Sequence, residues 1–419
     1  MLPVYYEERL VGHIERESLG LSFVYDATWL ARADAFAISL GMPVRKEPYS
    51  AAVATPWFAN LLPEDRQLER IGRLLGRDQG DVYGLLEEIG RDTAGALSVG
   101  GPELAAQGGY RKLAEAELAQ AIERLPERPL LAGDEGVTMS LAGAQSKLPV
   151  AMFDGQIYLP LNGAASTHIL KPASDRLYAT VENELLCMRL AAAVGVTVAP
   201  ATMGSAMERR YLLVERYDRS IRLPRTVTRG HQEDFCQALG IYPTQKYEAG
   251  GGPGLADLFR IIDENVAGSA RDRLALLDLV IFACCIGDSD RHGKNFSILL
   301  SHGSPRLAPG YDLMTAMAYE GVTQNIAMKI AGKNRAEHLE RRHWERFARE
   351  NRLAPAATVR RVEHLATMVG DKVGAVAAEL SADRLADKGA IELFSERILD
   401  RAKIVATNCR RGPSGSGTS

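Results

Sequence analysis

The amino-acid sequence predicts an α+β fold in two lobes, with a β-rich lobe first and an all-helical lobe second. Three observations support this prediction. Short β-prone pieces separated by polar turns fill residues 1 to about 50. From residue 255 onward, apolar residues recur at helical spacing. Prolines at 126 and 129 lie between these two regions and predict an inter-lobe boundary near 126–137.

Composition and charge describe an ordinary globular chain. With 419 residues, 46% of them hydrophobic, the chain is long enough for two or three domains. A formal net charge of -3 argues against a protein that coats nucleic acid with its whole surface. Five cysteines without a C-x-x-C pair predict buried thiols in a reducing compartment. The sequence shows neither a signal peptide nor an apolar run of membrane-spanning length, so we expect a soluble cytoplasmic protein.

Periodicity and turn signals predict the elements one by one. In chain order they are strands at 4–6, 10–14 and 21–25, helices at 65–76, 80–89 and 102–125, a hairpin turning at Asp154 and Gly155, a strand ending at Lys171, a helix at 181–193, a strand at 210–218, and helices at 232–240, 255–266, 270–286, 336–351, 356–369, 372–380 and 390–408. The basic cluster at 341–346 predicts a solvated helix face with Trp344 turned inward, rather than a nucleic-acid patch.

One polar stretch, DSDRHGKN at 288–295, lies between two apolar runs, which is typical of a loop positioned by a core. Asp290 and Asn295 have the spacing of the catalytic-loop Asp and Asn of protein kinases, and Asp312 follows where a magnesium-binding Asp would lie. A carboxylate can deprotonate an attacking hydroxyl, while an amide oxygen and a second carboxylate suit Mg²⁺. Two alternatives stay open, an Asp-rich surface turn and a metal-dependent hydrolase with His292 and three carboxylates as ligands.

The parts upstream of this stretch follow the order that a phosphoryl-transfer enzyme needs. A small-residue loop at 142–145 is suited to backbone approach to phosphate, although a plain hairpin lead-in explains it as well. Lys171 ends a strand about 25 residues later, and Glu184 on the next helix could orient it. An apolar strand then runs into 215–217, a candidate hinge. Each feature alone has an ordinary structural explanation, and only their order favours a two-lobed kinase-like architecture.

These motifs together resemble those of the HipA family of serine/threonine protein kinases, the toxin halves of type II toxin–antitoxin pairs. The resemblance covers nearly the whole chain and implies a two-lobed protein-kinase-like fold. The motifs that carry it are FANLLPE (58–64), IGRD (89–92), SLAGAQSK (140–147), THILK (167–171), VERYD (214–218), QED (232–234), KYE (246–248), GGPG (251–254) and the stretch at 287–296.

The resemblance also implies a role for each matching position. Asp290 would be the catalytic base, and Asn295 and Asp312 would bind Mg²⁺. The implied nucleotide-binding positions are Ala142, Gly143, Ala144, Gln145, Lys171, Glu215, Tyr217, His292 and Lys294. Among these, Lys171 would contact the ATP phosphates, Glu215 and Tyr217 would lie at the adenine, and His292 would brace the loop.

Ser140 matches the serine that the family autophosphorylates to silence itself. A phosphate there adds about two negative charges beside a site built for ATP's own phosphates. The chain departs from the best-known member at Ser146, where that protein has Glu, so a second hydroxyl lies in the same loop.

The resemblance implies an ordering of domains and a set of partners. The predicted domains are an N-terminal subdomain at 1–130, the ATP-binding part of the N-lobe with its hinge at 131–245, a helical catalytic C-lobe at 246–409 and a disordered tail at 410–419.

The expected partners are a small DNA-binding antitoxin of the HipB type, operator DNA through that antitoxin, and a protein substrate of the glutamyl-tRNA synthetase type, with no membrane involved. Two other functions stay open, a kinase of a lipid or small molecule and a non-catalytic co-repressor.

Overall fold

The computed structural model describes residues 1–18, 20–101, 109–222, 225–300 and 305–410. It divides into two compact units, which we describe one at a time. The first unit comprises Met1–Ala173, Gly204–Thr244 and Ser297–Arg306, and the second comprises Ser174–Met203, Gln245–Phe296 and Leu307–Ser419. The predicted tail from 411 onward lies outside the described residues, while Arg410 still belongs to the last helix.

The first unit contains most of the strand residues. The strands are β1 (Leu2–Tyr6), β2 (Arg9–Glu17), β3 (Gly20–Tyr25), β4 (Leu97–Val99), β5 (Tyr110–Lys112), β6 (Leu148–Phe153), β7 (Gln156–Pro160), β8 (His168–Pro172), β9 (Ala201–Ala206), β10 (Arg209–Glu215), β11 (Arg219–Arg222), β12 (Thr226–Arg229), β13 (Gln232–Asp234), β14 (Ser297–Leu299) and β15 (Arg306–Leu307). Of these, β9 begins and β15 ends in residues of the second unit. Within the described ranges the strands form sheets in the orders β3-β2-β1-β4, β5-β7-β6-β8-β10-β9, β11-β12 and β13-β14-β15.

Helices of the first unit pack against one another and, in part, against the N-terminal sheet. They are α1 (Ala27–Leu30), α2 (Ala51–Ala59), α3 (Asp65–Leu75), α4 (Val82–Ile89), α5 (Glu115–Arg124) and α7 (Phe235–Ala238). Apolar side chains from both layers, such as Phe23 of β3 and Phe58 of α2, are fully buried in one cluster. Burial of such aromatic side chains is a major part of what stabilises this layer.

The second unit is built from long helices. They are α6 (Thr180–Ala193), α8 (Leu255–Asn265), α9 (Ala270–Ile286), α10 (Arg341–Glu350), α11 (Pro355–Ser381) and α12 (Lys388–Arg410). The apolar faces of α6, α9 and α10 pack against α11 and α12. A partly buried ion pair joins α11 to α9, since Arg361 donates two hydrogen bonds of 2.7 Å to the carboxylate of Asp278.

The fold class expected from the sequence is confirmed, and so are most of its elements. The hairpin between β6 and β7 turns at Asp154 and Gly155, which both have positive φ (51° and 71°), as a two-residue type I′ turn requires. Trp344 of α10 is fully buried, while Arg341 and Arg346 on the same helix pair with glutamates four residues later. This agrees with the predicted solvated helix face.

Three sequence predictions were wrong in detail. The predicted helix at 102–125 contains β5, which pairs with β7, and only α5 is helical, while residues 102–108 lie outside the described part. The predicted helix at 232–240 begins instead as β13, because Gln232 to Asp234 pair with β14. The predicted pair of helices at 356–369 and 372–380 is one continuous helix, α11. In the first two cases a distant strand supplied hydrogen-bond partners that local periodicity does not reveal.

Two whole-chain expectations can also be compared with the structure. All five cysteines are free thiols and buried, as the apolar runs around several of them suggested. In the described part of the chain, no helix is long and apolar enough to cross a membrane.

Glu233 of β13 is a buried carboxyl group that fastens this strand to the N-terminal segments. One carboxyl oxygen accepts a hydrogen bond from the Leu40 backbone N–H at 2.8 Å, and the other accepts one from Trp57 Nε1 at 2.9 Å. Burial raises the pKa of Glu233 to about 7, although these donors oppose the shift. The folded protein therefore retains a proton on Glu233 that the unfolded chain releases near pH 4.5.

We expect Glu233→Gln to change how stability depends on pH. The stability that the proton on Glu233 contributes is complete below about pH 4.5 and is lost as the pH rises towards 7. The variant lacks this loss, so its free energy of unfolding relative to wild type should rise by about 2–3 kcal/mol between pH 5 and pH 8. Urea unfolding at several pH values measures this difference. A difference that stays constant with pH, as expected for the exposed control Glu127→Gln, would contradict the assignment.

Candidate active site

The small-residue loop at 140–147 lies against the segment that carries the FANLLPE motif. Ser140 is fully buried, and its hydroxyl donates a hydrogen bond of 2.8 Å to the Leu61 carbonyl. Further along, the backbone N–H of Glu64 donates to the Gly143 carbonyl at 3.3 Å, and Gln67 Nε2 donates to the Ala144 carbonyl at 2.7 Å. These hydrogen bonds hold together two motifs that are about 80 residues apart in the sequence.

The conformation of this loop depends on glycine at its centre. Gly143 has φ of 108°, a region that side chains with a Cβ rarely adopt. Lys147, which is buried, turns its ammonium back to donate to the Ala142 carbonyl. The loop is therefore closed on itself before the chain enters β6. Ala142 and Gln145 are partly buried and Ala144 is exposed.

Lys171 lies on the central strand of the six-stranded sheet. The pairing of Leu148 with Leu170 places Lys171 beside Lys147, the last residue of the loop. On its other side, Lys171 pairs with Leu212 of β10. The lysine is buried within the sheet rather than being an exposed strand-end residue. The structure thus brings the loop and Lys171 together on neighbouring strands of the first unit.

The predicted hinge follows directly from β10. Glu215 ends this strand, is exposed, and pairs with His168 of β8. Tyr217 is half-buried, and its hydroxyl donates a hydrogen bond to the side-chain oxygen of Gln232. Burial raises the pKa of the Tyr217 hydroxyl. Glu215 is therefore on the same sheet as Lys171, and Tyr217 lies in the turn that follows β10.

A buried ionic network fixes the hinge. It joins the carboxylate of Asp92, in the IGRD motif, to guanidinium groups that follow β10. Asp92 Oδ1 accepts hydrogen bonds from Arg219 at 2.9 Å and Arg229 at 3.3 Å, and Oδ2 accepts one from the Ser166 hydroxyl at 2.6 Å. Arg216 lies 3.6 Å from the same carboxylate. All of these side chains are more than nine-tenths buried.

A second carboxylate completes the network. Asp218 forms a bidentate pair with Arg216, with distances of 3.0 and 2.8 Å, and also pairs with Arg219 at 2.8 Å. Burial alone would raise the pKa of Asp92, but the three guanidinium groups outweigh it and hold that pKa far below its ordinary value. The Asp92 backbone carbonyl also accepts from the Ser140 N–H at 2.9 Å. One residue therefore contacts both the hinge and the small-residue loop.

The second unit holds the polar loop that carries the Asp-x-x-x-x-Asn spacing. Helix α9 ends at Gly287, whose φ of 65° and close contact with Met317 both favour glycine. In the loop that follows, Asp290 accepts a hydrogen bond from the Tyr247 hydroxyl, and its side chain is 63% exposed. His292 lies 3.8 Å from the same carboxylate oxygen and packs edge-on against the Tyr247 ring.

Asn295 and Asp312, the predicted cation ligands, both belong to the second unit. Asn295 Nδ2 donates a hydrogen bond of 2.8 Å to the Asp290 carbonyl. The charge of Asp312 is close enough to contribute to raised pKa values of Asp290 and Asp288. The segment that follows Asp312 is held by Asn183 of α6, which exchanges hydrogen bonds of 2.8 and 2.9 Å with the Thr315 backbone.

Arg291 and Asp288 are functional candidates that sequence reasoning did not single out. The Arg291 side chain is 5% exposed and donates to Asp288, to the Asn295 carbonyl and to the Tyr311 carbonyl. Burial raises the pKa of Asp288 to about 7, even though Arg291 opposes this shift. Lys294, predicted to bind the nucleotide, is buried, and its carbonyl accepts from the Tyr311 hydroxyl at 2.7 Å. The sequence signal that could have identified Arg291 is a basic residue in a polar loop between two apolar runs.

Some predicted pairings stay predictions. Lys171, Glu215 and Tyr217 belong to the first unit, whereas Glu184 and Asp290 belong to the second.

The alternative of a hydrolase with His292 and three carboxylates around one ion gains no support, since among the described residues no group of three or more His, Cys, Asp or Glu side chains is arranged to hold a metal. A pair of oxygen ligands with water in the remaining positions is the usual environment of Mg²⁺.

An α+β fold with this loop and a later aspartate defines a protein of the kinase-like class. The model of the HipA N-terminal domain matches residues 2–100, and the model of the HipA-like C-terminal domain matches residues 139–376. The chain belongs to the HipA family of toxin kinases.

Individual relatives agree with this assignment. The chain is 39% identical over 415 residues to the kinase-named protein Y4mE of Sinorhizobium fredii, covering 97% of this chain and 98% of the relative. It is 30% identical to the serine/threonine-protein kinase toxin HipA of Shewanella oneidensis, over 78% of each chain. A solved structure of HipA from Shewanella oneidensis with HipB and operator DNA superposes with a TM-score of 0.84 at 24% identity, covering 96% of this chain and 97% of that chain. This structural likeness shows the shared fold.

We expect Asp92→Asn to lower the free energy of unfolding by about 3–5 kcal/mol, because it leaves buried guanidinium groups without their counter-charge. The matched control is Asp34→Asn, which removes an ion pair whose carboxylate is 59% exposed and should change the free energy of unfolding very little. Urea unfolding of both variants beside the wild type measures the difference. If both substitutions cost the same small amount, the network does not stabilise the hinge.

Proposed function

We propose that the chain is an ATP- and Mg²⁺-dependent serine/threonine protein kinase that acts as the toxin of a toxin–antitoxin pair. The observation that carries this proposal is the loop of the second unit, in which Asp290 accepts a hydrogen bond from the Tyr247 hydroxyl. A catalytic base must accept such a bond from the hydroxyl that attacks. The Asp290 side chain is 63% exposed, so a protein substrate can approach it.

Asp290 would orient the acceptor hydroxyl and take its proton as the hydroxyl oxygen attacks the terminal phosphorus. The carboxylate is suited to this role because its surroundings set both its direction and its basicity. Desolvation and the nearby charge of Asp312 raise the pKa of Asp290, while the Tyr247 hydroxyl opposes this shift. A more basic carboxylate is a better proton acceptor at neutral pH.

The side chains of Asn295 and Asp312 fit a magnesium ion. Both offer oxygen, the donor that this hard cation prefers. The hydrogen bond from Asn295 Nδ2 to the Asp290 carbonyl leaves the amide oxygen for the ion. When bound, the ion would neutralise the phosphate charge that accumulates during transfer. His292 would brace the loop, as its contact with Tyr247 suggests.

Most of the residues that would bind ATP belong to the first unit, in or beside the strands β6, β8 and β10, while His292 and Lys294 belong to the second. The backbone of residues 142–145 would cover the phosphates, and the Lys171 ammonium would contact them. Glu215, at the end of β10, and Tyr217, in the turn that follows, would lie at the adenine, next to Arg216 and Asp218 of the Asp92 network. The neighbouring strands bearing the loop, Lys171 and Glu215 support this assignment.

We further propose the family's partners for this chain. The neighbour of Shewanella oneidensis was solved with HipB and its operator DNA, which supports a HipB-like antitoxin and operator binding through it. The proposed substrate is an aminoacyl-tRNA synthetase of the glutamyl type, whose phosphorylation would inhibit translation.

Ser140 is the proposed site of self-silencing. Its hydroxyl is fully buried against the Leu61 carbonyl, so the loop must leave this position before the residue can be phosphorylated. A phosphoserine could not return to the same place, because the phosphate adds bulk and about two charges to a buried site. The displaced loop would then no longer cover the ATP phosphates. Ser146 in the same loop is only partly buried and is the competing site.

We expect Asp290→Asn to lower phosphoryl transfer by about 10²–10⁴-fold while ATP binding stays close to wild type, because the base is lost but the nucleotide contacts are not. Transfer of labelled phosphate to purified glutamyl-tRNA synthetase measures the first quantity, and calorimetry with ATP measures the second. The control is Asp371→Asn on the exposed face of α11, which should retain full activity. Full transfer by the Asp290 variant would refute its role.

Mass spectrometry after incubation with ATP should find phosphate on Ser140. Because the modification holds the loop out, wild-type activity should decline with time, whereas Ser140→Ala should stay active. The matched variant Ser146→Ala should decline like the wild type. Phosphate only on Ser146, or a Ser140 variant that declines equally, would reject the proposed site.

A further inference from the structure

We propose that Arg291 is a positioning residue that fixes the Asp312 segment against the catalytic loop and thereby sets the site's affinity for a divalent cation. This proposal rests on the proposed kinase function, because it assigns Arg291 a role in the same site. Its role follows from contacts within the second unit alone.

The guanidinium of Arg291 contacts three separate stretches of backbone or side chain. Nε donates to the Asp288 carboxylate at 3.3 Å, at the beginning of the loop. Nη1 donates to the Asn295 carbonyl at 2.6 Å, at the end of the loop. Nη2 donates to the Tyr311 carbonyl at 2.9 Å, on the next segment. The group also stacks on Phe296, with 5.3 Å between Cζ and the ring centroid.

Two of these acceptors belong to the backbone that carries the cation ligands. Asn295 is itself a proposed ligand, and Tyr311 directly precedes Asp312, the other one. One rigid planar group therefore spans the two backbones, and the distance between the ligands depends on it. Lysine could not replace it, because an ammonium is a compact donor that cannot bond in three fixed directions along a plane.

The remaining contacts leave the segment little freedom. The Tyr311 hydroxyl donates to the Lys294 carbonyl, so this residue is bonded to the loop at both ends. Three residues beyond Asp312, Asn183 holds Thr315 from the side of α6. Asp312 lies between these two attachments and has φ of 57°, a conformation that a loose segment would not favour. Removing the Arg291 side chain would weaken the attachment at Tyr311 and leave the one at Thr315.

Asp288 connects Arg291 to Asp290, the proposed catalytic base. Its Oδ2 accepts from Arg291, while its Oδ1 accepts from the Asp290 N–H at 2.9 Å. Arg291 and Asp288 thus act as a pair that fixes the loop's beginning as well as its end. Partners outside the metal ligands typically change metal affinity by about 10–100-fold when they are removed.

The test compares Arg291→Lys with the exposed control Arg260→Lys, whose ion pairs lie on the surface of α8. Manganese binding is measured by electron paramagnetic resonance in the presence of a non-hydrolysable ATP analogue, and the Mg²⁺ dependence of phosphoryl transfer is measured at saturating ATP. We expect Arg291→Lys to weaken Mn²⁺ binding and to raise the half-saturating Mg²⁺ concentration by about 10-fold or more. Excess Mg²⁺ should restore much of the activity. Arg260→Lys should resemble the wild type in both measurements.

A lower activity with unchanged Mn²⁺ binding would overturn the proposal, because a general loss of structure would not act through the cation. If Arg291→Lys does not fold, Arg291→Gln serves in its place, since its shorter amide side chain cannot bond to the Asn295 and Tyr311 carbonyls together. Unchanged Mn²⁺ affinity in that variant would count equally against the proposal. A wild-type chain that binds Mn²⁺ with the analogue but transfers no phosphate would defeat the proposed kinase function instead, and the Mn²⁺ comparison would still decide the role of Arg291.

Discussion

The first unit depends on the buried carboxylate of Asp92, which balances three guanidinium groups where almost no water can reach them. An arginine is costly to bury without a counter-charge, so Arg216 and Arg219 can occupy the hinge only while Asp92 and Asp218 remain ionised beside them. Because the backbone of Asp92 also holds the small-residue loop, the same residue fixes two parts of the proposed nucleotide site. The N-terminal segment is in this sense a component of the site.

The two units use buried aspartates in opposite ways. Asp92 is surrounded by guanidinium groups, and its pKa is far below the ordinary value. Asp288 has a single guanidinium partner and negative neighbours, so burial prevails and raises its pKa to about 7. The difference lies in the number of cations within reach, because desolvation acts against the charged form in both places. The Asp92 carboxylate balances the charge of the guanidinium groups around it, whereas the Asp288 carboxylate serves mainly as a hydrogen-bond acceptor for the loop at 288–295.

The loop at 288–295 is held by side chains that bond to its backbone and to Asp290, the proposed base. Asn295 and Arg291 both donate to carbonyl oxygens, and the Tyr247 hydroxyl donates to the Asp290 carboxylate. Such bonds fix a loop without requiring regular secondary structure, which suits a segment that must present polar groups from an apolar core. The spacing of Asp290 and Asn295 was readable in the sequence, but their partners were not. Tyr247 lies more than forty residues away along the chain, and the contacts of Arg291 become visible only in the folded structure.

The sequence by itself determined the α+β class, most of the helices and strands, and the family, because apolar periodicity and ordered motifs are local properties of the chain. It also identified the loop and the lysine strand as places where chemistry is expected. Only the tertiary structure decided that β5 and β13 are strands, that Asp92 meets the arginines beyond β10, and that Arg291 joins the loop to the Asp312 segment. Each of these depends on a hydrogen-bond partner or counter-charge supplied by a distant part of the chain. No local pattern records such a partner, since it becomes a neighbour only when the chain has folded.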